Sequence, residues 1–340
     1  MSRGTSTAGI ILGLLSVGTA LVTAQLVQGP STVSRTPWGA PDLQGIWDYG
    51  TLTPLQRPSA FAGQEFLTDE EAAAFEQTSA QGWESVRSRN RGISNDFWFD
   101  RATAVSEDKR TSLIMDPPDG RIPPLTPLTP DAEERSARHE DRPLKQRMSL
   151  AAGADGPEDR GLFERCILGP NSGPPMVPFM YTNLVQFFQA PGYVVILNEM
   201  IHDARIVPLD GRPHLHPSIA QWMGDSRGHW EDQTLVVETT NFEDKVSFSG
   251  NAMRRGASGE TMHLVERFTR VDADTLRYEF TITDRTWWSR AWSAQVLMKR
   301  IGGPILEFAC HEGNHGMMNM LTGARAEEKR VPEGVKLPSR

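Results

Sequence analysis

The chain has 340 residues, a formal net charge of −8 and a hydrophobic fraction of 38%. That length holds one large domain or two small ones, with enough apolar residues for a real core. The acidic balance, with no clustered stripe of Lys and Arg, excludes a nucleic-acid surface, which needs positive charge gathered against phosphate. An acidic enzyme or small-molecule binder fits better.

Residues 1–24 pair a positive charge at Arg3 with an apolar run from Ala8 to Val22, and small residues lead to a cleavage point after Ala24. This is the pattern of an export signal, and it predicts a periplasmic or extracellular mature protein. The run is short for a bilayer span and no later stretch reaches that length, so no membrane span is expected in the mature chain. An uncleaved N-terminal anchor is the alternative, and lipid attachment is not expected because no Cys follows the cut. Export gives meaning to Cys166 and Cys310. In an oxidising compartment they either form one disulfide closing a very long loop or remain two separate buried thiols, and spacing alone does not choose.

A linker over 25–40 leads into a single β-rich domain over 41–322, with a helical and Pro-rich insertion at about 66–160 and a polar tail over 323–340. Gly45-Ile46-Trp47 reads as an opening strand. Thr68 and Glu71 form a capping box ahead of a helix of strong helix formers, weakened at Gly82. The stretch 116–130, DPPDGRIPPLTPLTP, is extended polyproline-like chain, because Pro removes donors and fixes φ. A second helix is predicted from the cap Thr129 and Pro130 to the residue before Pro143. A Gly- and Asp-rich loop follows over 150–161.

From Asn183 onward, β-branched and aromatic runs are cut by Pro191-Gly192, Asp210-Gly211 and Glu231-Asp232-Gln233, which predicts consecutive strands. MHLVERFTR and LRYEFTITD form a hairpin about VDADT, and WSAQVLMKR followed by ILEFAC continues the sheet past Gly302-Gly303. In LRYEFTITD, Leu276, Tyr278, Phe280 and Ile282 share one face, while Arg277, Glu279, Thr281 and Thr283 share the other. The tail reads as a short fraying helix. The fold class is mainly β: an antiparallel meander closed as a lipocalin-like barrel, or a sandwich, so that its edges are buried.

Glu199, His202, Asp203 and Arg205 form the first chemical constellation. If one strand runs through them, Glu199, Asp203 and Arg205 share a face, and Asn198 and His202 share the other. Two carboxylates flanking a cation split their pKa values and give an acid and a base, whereas the bland alternative is a structural ion pair with a satisfied His. His311-Glu312-Gly313-Asn314-His315 satisfies H-E-x-x-H, the spacing with which zinc hydrolases put two imidazoles on one helical face. It follows an apparent strand and contains Gly313, with Gly316 next to it, which weakens a helix there. No cofactor is therefore favoured, and zinc held by His311 and His315 is the alternative.

His214 and His216 lie between Pro213 and Pro217 and read as loop. Ser226 has no G-x-S-x-G context and reads as a turn residue. Trp287, Trp288 and Trp292, with Phe187, Phe188 and Tyr193, supply core or a flat apolar pocket. Tyr193, Trp230, Glu238 and Trp288 are the candidate substrate-binding residues. In the catalytic reading Glu199 or Asp203 is the base and His202 or His311 protonates the leaving oxygen. Arg205 and Asn314 then orient the substrate or stabilise developing charge.

Gly45-Ile46-Trp47 resembles the G-x-W of the first strand of lipocalin-type barrels, which close around small apolar ligands, although here it lies far ahead of the main meander. PDLQGIW, RTSLIMDPPDGRIPPLTP, EMIHDARIVPLDGRPHL, GDSRGHWEDQTLVVETTNF, LVERFTRVDADTLRYEFT and ACHEGNHG resemble a large group of exported bacterial proteins. That group is associated with hydrolytic cleavage of lignin-type aryl ethers, and it carries an aromatic residue where this chain has His315. The favoured reading is metal-free acid–base hydrolysis or elimination on a small, partly aromatic molecule, and the resemblance puts aryl ethers first among substrates. A non-catalytic binder of hydrophobic molecules and a zinc hydrolase are the rivals. The expected partner is a small-molecule substrate, and assembly stays open between a homo-oligomer and a hetero-oligomer with a paralogue.

Overall fold

Period-two alternation cut by short turns produces ten strands in one sheet. The computed structural model describes residues 34–89, 102–124, 126, 156–180, 182–243, 261–312 and 314–329. The predicted export signal and the helix predicted from Thr129 lie outside them. The strands are β1 (Gly45–Asp48), β2 (Ile114–Asp116), β3 (Leu184–Ala190), β4 (Tyr193–Asn198) and β5 (Ala204–Pro208), followed by β6 (Asp225–Glu231), β7 (Thr234–Thr240), β8 (His263–Arg270), β9 (Thr275–Thr283) and β10 (Trp292–Ile301). Two α-helices accompany them among the described residues, α1 (Asp69–Arg89) and α2 (His315–Glu328).

The strand order is β5-β4-β3-β1-β10-β9-β8-β7-β6, with β2 beside β10, and every pairing is antiparallel. Alternating direction along that path makes its two ends, β5 and β6, run the same way. No ladder joins them. They are nonetheless neighbours: a Cβ built on Gly228 of β6 meets Val207 and Leu209 at 2.8 Å.

The sheet curls so that residues far apart along the path meet on its inner face. Phe187 of β3 packs on Phe268 of β8 at 5.1 Å between ring centroids. Ring contacts then run from Phe268 to Tyr278 at 4.9 Å, to Phe280 at 5.7 Å, to Trp292 at 5.7 Å and on to Trp288 at 5.8 Å. Large rings in edge-to-face and offset contact fill space instead of enclosing it. Trp288 and Phe187 therefore belong to the core, whereas Phe188 and Tyr193 face outward.

The local expectations hold where short-range chemistry decides. Thr68 N donates to Glu71 Oε2 at 2.8 Å and Glu71 N to Thr68 Oγ1 at 3.2 Å, so the capping box starts α1 as predicted. Leu276, Tyr278, Phe280 and Ile282 all face the core. Two expectations fail. ILEFAC forms no strand, because the sheet ends at Ile301 and Gly303 turns the chain away with φ +112°. Ser226 is a strand residue, its Oγ lying 2.9 Å from Thr239 Oγ1 inside the β6–β7 hairpin.

That diverted segment is held by a disulfide between Cys166 and Cys310, with Cα atoms 5.7 Å apart and 144 residues of sequence separation. Closing so long a loop restricts the unfolded chain, worth about 2–5 kcal/mol. Cys166→Ala/Cys310→Ala is expected to lose that much in urea unfolding, and reductant should destabilise the wild type to match. Equal midpoints with and without reductant would refute this contribution.

Candidate functional site

The β4–β5 hairpin does not run through the constellation as one strand. Its last rung pairs Leu197 with Ala204, after which Asn198 N donates to Asp203 O at 2.9 Å and residues 199–203 form the turn. Inside it, Ile201 and His202 take φ of 62° and 51°, left-handed values that a β-branched residue rarely adopts. Each such residue costs about 1–3 kcal/mol and persists only where its surroundings fix it. Here Met200 and Ile201 are buried, and Met200 packs so tightly on Gly169 that a Cβ there would meet its Cγ at 2.1 Å.

The turn brings Glu199, His202 and Asp203 together beneath the diverted segment. Glu199 is buried and its Oε1 accepts from Leu306 N at 3.4 Å. His202 is exposed, with Nδ1 3.1 Å from Phe308 O. Because a carbonyl only accepts, Nδ1 carries the proton and Nε2 is the basic nitrogen of the neutral ring. Burial raises the Asp203 carboxyl from 3.8 to about 6, against a smaller downward pull from His202. Its Oδ2 is buried and has no partner in the protein.

Asn198, Asp203 and Arg205 face the same side of the hairpin, since Asn198 lies across from Asp203 and Arg205 is two residues further along β5. Both polar atoms of the Asn198 amide, Asp203 Oδ2 and Arg205 Nε are buried without hydrogen-bond partners in the protein. Most buried polar atoms are satisfied, so four such atoms on one face of one hairpin stand out.

Arg205 itself is not flanked by Glu199 and Asp203, contrary to the one-strand reading. It reaches across the inner face to Glu266 of β8, with Nη1 2.5 Å from Oε2 and Nη2 3.1 Å from Oε1. Tyr278 OH donates to the same carboxylate at 2.7 Å and accepts from Met176 N at 3.0 Å. Burial, then the Glu266 charge, pushes the Tyr278 hydroxyl well above its ordinary value. With its positive charge committed to Glu266, Arg205 does not hold Asp203 down.

A cleft of about 550 Å³ between β5 and β6 is lined by Ala204, Arg205, Ile206, Trp222, Met223 and Asp225. No protein-family model, curated protein or solved structure matches the chain.

The remaining candidates lie elsewhere. His311 and Glu312 are exposed outside any helix and α2 begins at His315, so one helical face does not carry both imidazoles. Asn314 caps α2 through Met317 N at 3.3 Å and donates to Glu164 O at 2.9 Å. Among the described residues no three His, Cys, Asp or Glu side chains gather as a metal would require. Tyr193 is exposed at the far end of β4, within 3.3 Å of Arg212, and Glu238 faces His263 at 3.5 Å. Trp230 packs half-buried against the core, so these residues and Trp288 do not line one pocket.

Glu266, Trp222 and Met223 went unnoticed in the sequence, and Asn198, read there as sharing a face with His202, shares one with Asp203 and Arg205 instead. For Glu266 the signal was present: it alternates with Leu264 and Phe268, placing a carboxylate on the dry face of β8.

Proposed function

We propose that the chain is an exported enzyme whose sheet wraps as a lipocalin-like barrel, and that the β4–β5 turn performs acid–base hydrolysis or elimination on a small, partly aromatic molecule. The observation that carries this reading is Asp203, a carboxyl raised to about 6 with a buried, unpartnered oxygen, on a strained turn beside His202. A carboxyl titrating there changes protonation state readily near neutral pH, as a general acid or base requires. In hydrolysis, ionised Asp203 takes a proton from water as its oxygen attacks the carbon. The carbon–oxygen bond then breaks, and the leaving oxygen takes a proton from His202 Nε2, which has first gained it from solvent.

Glu199, held by Leu306 N, fixes the turn against the segment fastened by the disulfide. The disulfide also suits the oxidising compartment that the export signal implies. The likeness to exported proteins associated with aryl-ether cleavage puts aryl ethers first in the test. Purified protein incubated with neutral aryl ethers and aryl esters between about pH 5 and 8 is expected to release a phenol, detected by chromatography. Glu199→Gln should slow release by roughly tenfold or more while leaving the melting temperature near wild type. No product from any member of the panel would overturn the reading.

A further inference from the structure

We propose that the open edge of β5 takes up an extended, basic peptide segment of another protein, added as an antiparallel strand in the cleft between β5 and β6. This site is separate from the chemistry at the β4–β5 turn, and main-chain groups carry the recognition.

The register of the β4–β5 ladder fixes which groups are open. Asn198 N donates to Asp203 O and Leu209 N to Gly192 O, both at 2.9 Å, and the pairs between them run from Leu197 with Ala204 to Tyr193 with Pro208. Bonds to β4 therefore fall on Asp203, Arg205, Val207 and Leu209, and the N–H and C=O of Ala204 and Ile206 point away from it. They face β6, to which no ladder joins β5, and among the described residues nothing bonds to them. Pro208 has no N–H, so the donors of this edge end at Ile206. Ala204 and Ile206 are exposed, and both line the cleft of about 550 Å³. Exposed edges are usually guarded by outward charge, but in ARIVP the single charged residue, Arg205, is turned inward to Glu266.

The sheet sets the direction of the added strand. β5 and β6 run the same way, so only a strand opposed to both continues the antiparallel order between them. Gly228 of β6 already lies against Val207 and Leu209, which leaves the room beside Ala204 and Ile206. Peptide residues opposite these two would each exchange a pair of main-chain bonds, as in strand addition to a free edge. Their side chains would stand on the outer face beside Ile206, which is 65% exposed and continues a row through Val195 to Phe188. β-branched residues suit that row. The residue between them turns to the inner side, where β5 and β6 converge, and has to be small. Trp222 and Met223 add apolar surface to the lining.

Charge selects a basic segment. Asp225 accepts from Arg227 Nη1 at 2.7 Å and lies 2.9 Å from His214 Nδ1, so its charge is already met. Glu243 also lines the cleft, and no Lys, Arg or His among the described residues pairs with its carboxylate. The lining thus carries an uncommitted negative charge, which a lysine flanking the paired peptide residues would meet.

Calorimetry with acetyl-Lys-Val-Ser-Val-Lys-amide, and with the same peptide N-methylated at both valines, tests these bonds on the unaltered protein. The parent peptide is expected to bind with a Kd of about 1 mM or tighter. Methylation removes both peptide donors while keeping side chains and charge, and should weaken binding by at least about tenfold. Ile206→Pro removes one edge donor where the β4 ladder loses nothing, so it should melt like wild type and bind the parent peptide at least about threefold more weakly. Glu243→Gln should weaken binding by at least about threefold and flatten its salt dependence. Equal binding of the parent and methylated peptides would overturn the proposal even if Ile206→Pro melts early. So would the absence of parent binding at about 10 mM peptide. Self-association that Ile206→Pro abolishes, with no peptide bound, would give the edge to a second copy and overturn the proposal as well.

Discussion

Asp203→Asn is expected to lower turnover by about 10²–10⁴-fold, the usual contribution of a positioned general acid or base, while making the protein more stable at pH 8. The two effects share one cause. Burial raises the folded-state value from 3.8 to about 6, so the folded protein binds this proton more tightly than the unfolded chain does. The resulting stability is whole below 3.8 and is lost as pH rises through about 6. At pH 8 the wild type holds a partly buried, ionised carboxylate that asparagine replaces with a neutral amide. The full shift corresponds to about 3 kcal/mol, and solvent screening of this incompletely buried group reduces it to about 1–2 kcal/mol.

Urea unfolding should therefore show Asp203→Asn more stable than wild type at pH 8 and equal to it near pH 4. The wild-type rate should carry an ionisation limb near pH 6 that the variant lacks. A purely structural Asp203 would give a stability change without the loss of rate, and that outcome would remove it from the chemistry.

What the sequence disclosed divides by distance along the chain. The capping box at Thr68 and Glu71 and the alternation in LRYEFTITD depend on neighbours within a few residues, and both were legible. The β4–β5 turn was hidden because EMIHD contains no Gly or Pro, so nothing announced left-handed backbone at Ile201 and His202. A strand read through the turn put Glu199 beside Arg205, whereas the real hairpin turns Arg205 inward to Glu266. ILEFAC has the residues of a strand, but Gly302-Gly303 and the link from Cys310 to Cys166 take it over the turn instead. H-E-x-x-H needed a helix starting at or before His311, and among the described residues the helix here begins at His315. The cleft was out of reach, since it exists only because two strands distant in sheet order come side by side.

The pair that closes this arrangement should prove the most sensitive point of the core. Arg205 and Glu266 keep 2% and 0% of their side-chain surface, and they join β5 to β8 across the inner face. Glu266→Leu would leave a guanidinium buried without its counter-charge and deprive Tyr278 OH of its acceptor, a loss expected to be about 3–5 kcal/mol. Removing all three polar groups together, as Arg205→Met/Glu266→Leu/Tyr278→Phe, should restore most of that stability, because apolar side chains of similar volume carry no desolvation penalty. Urea unfolding of the single and triple variants checks the comparison, and a triple variant no more stable than the single would show that the polar network itself stabilises the fold.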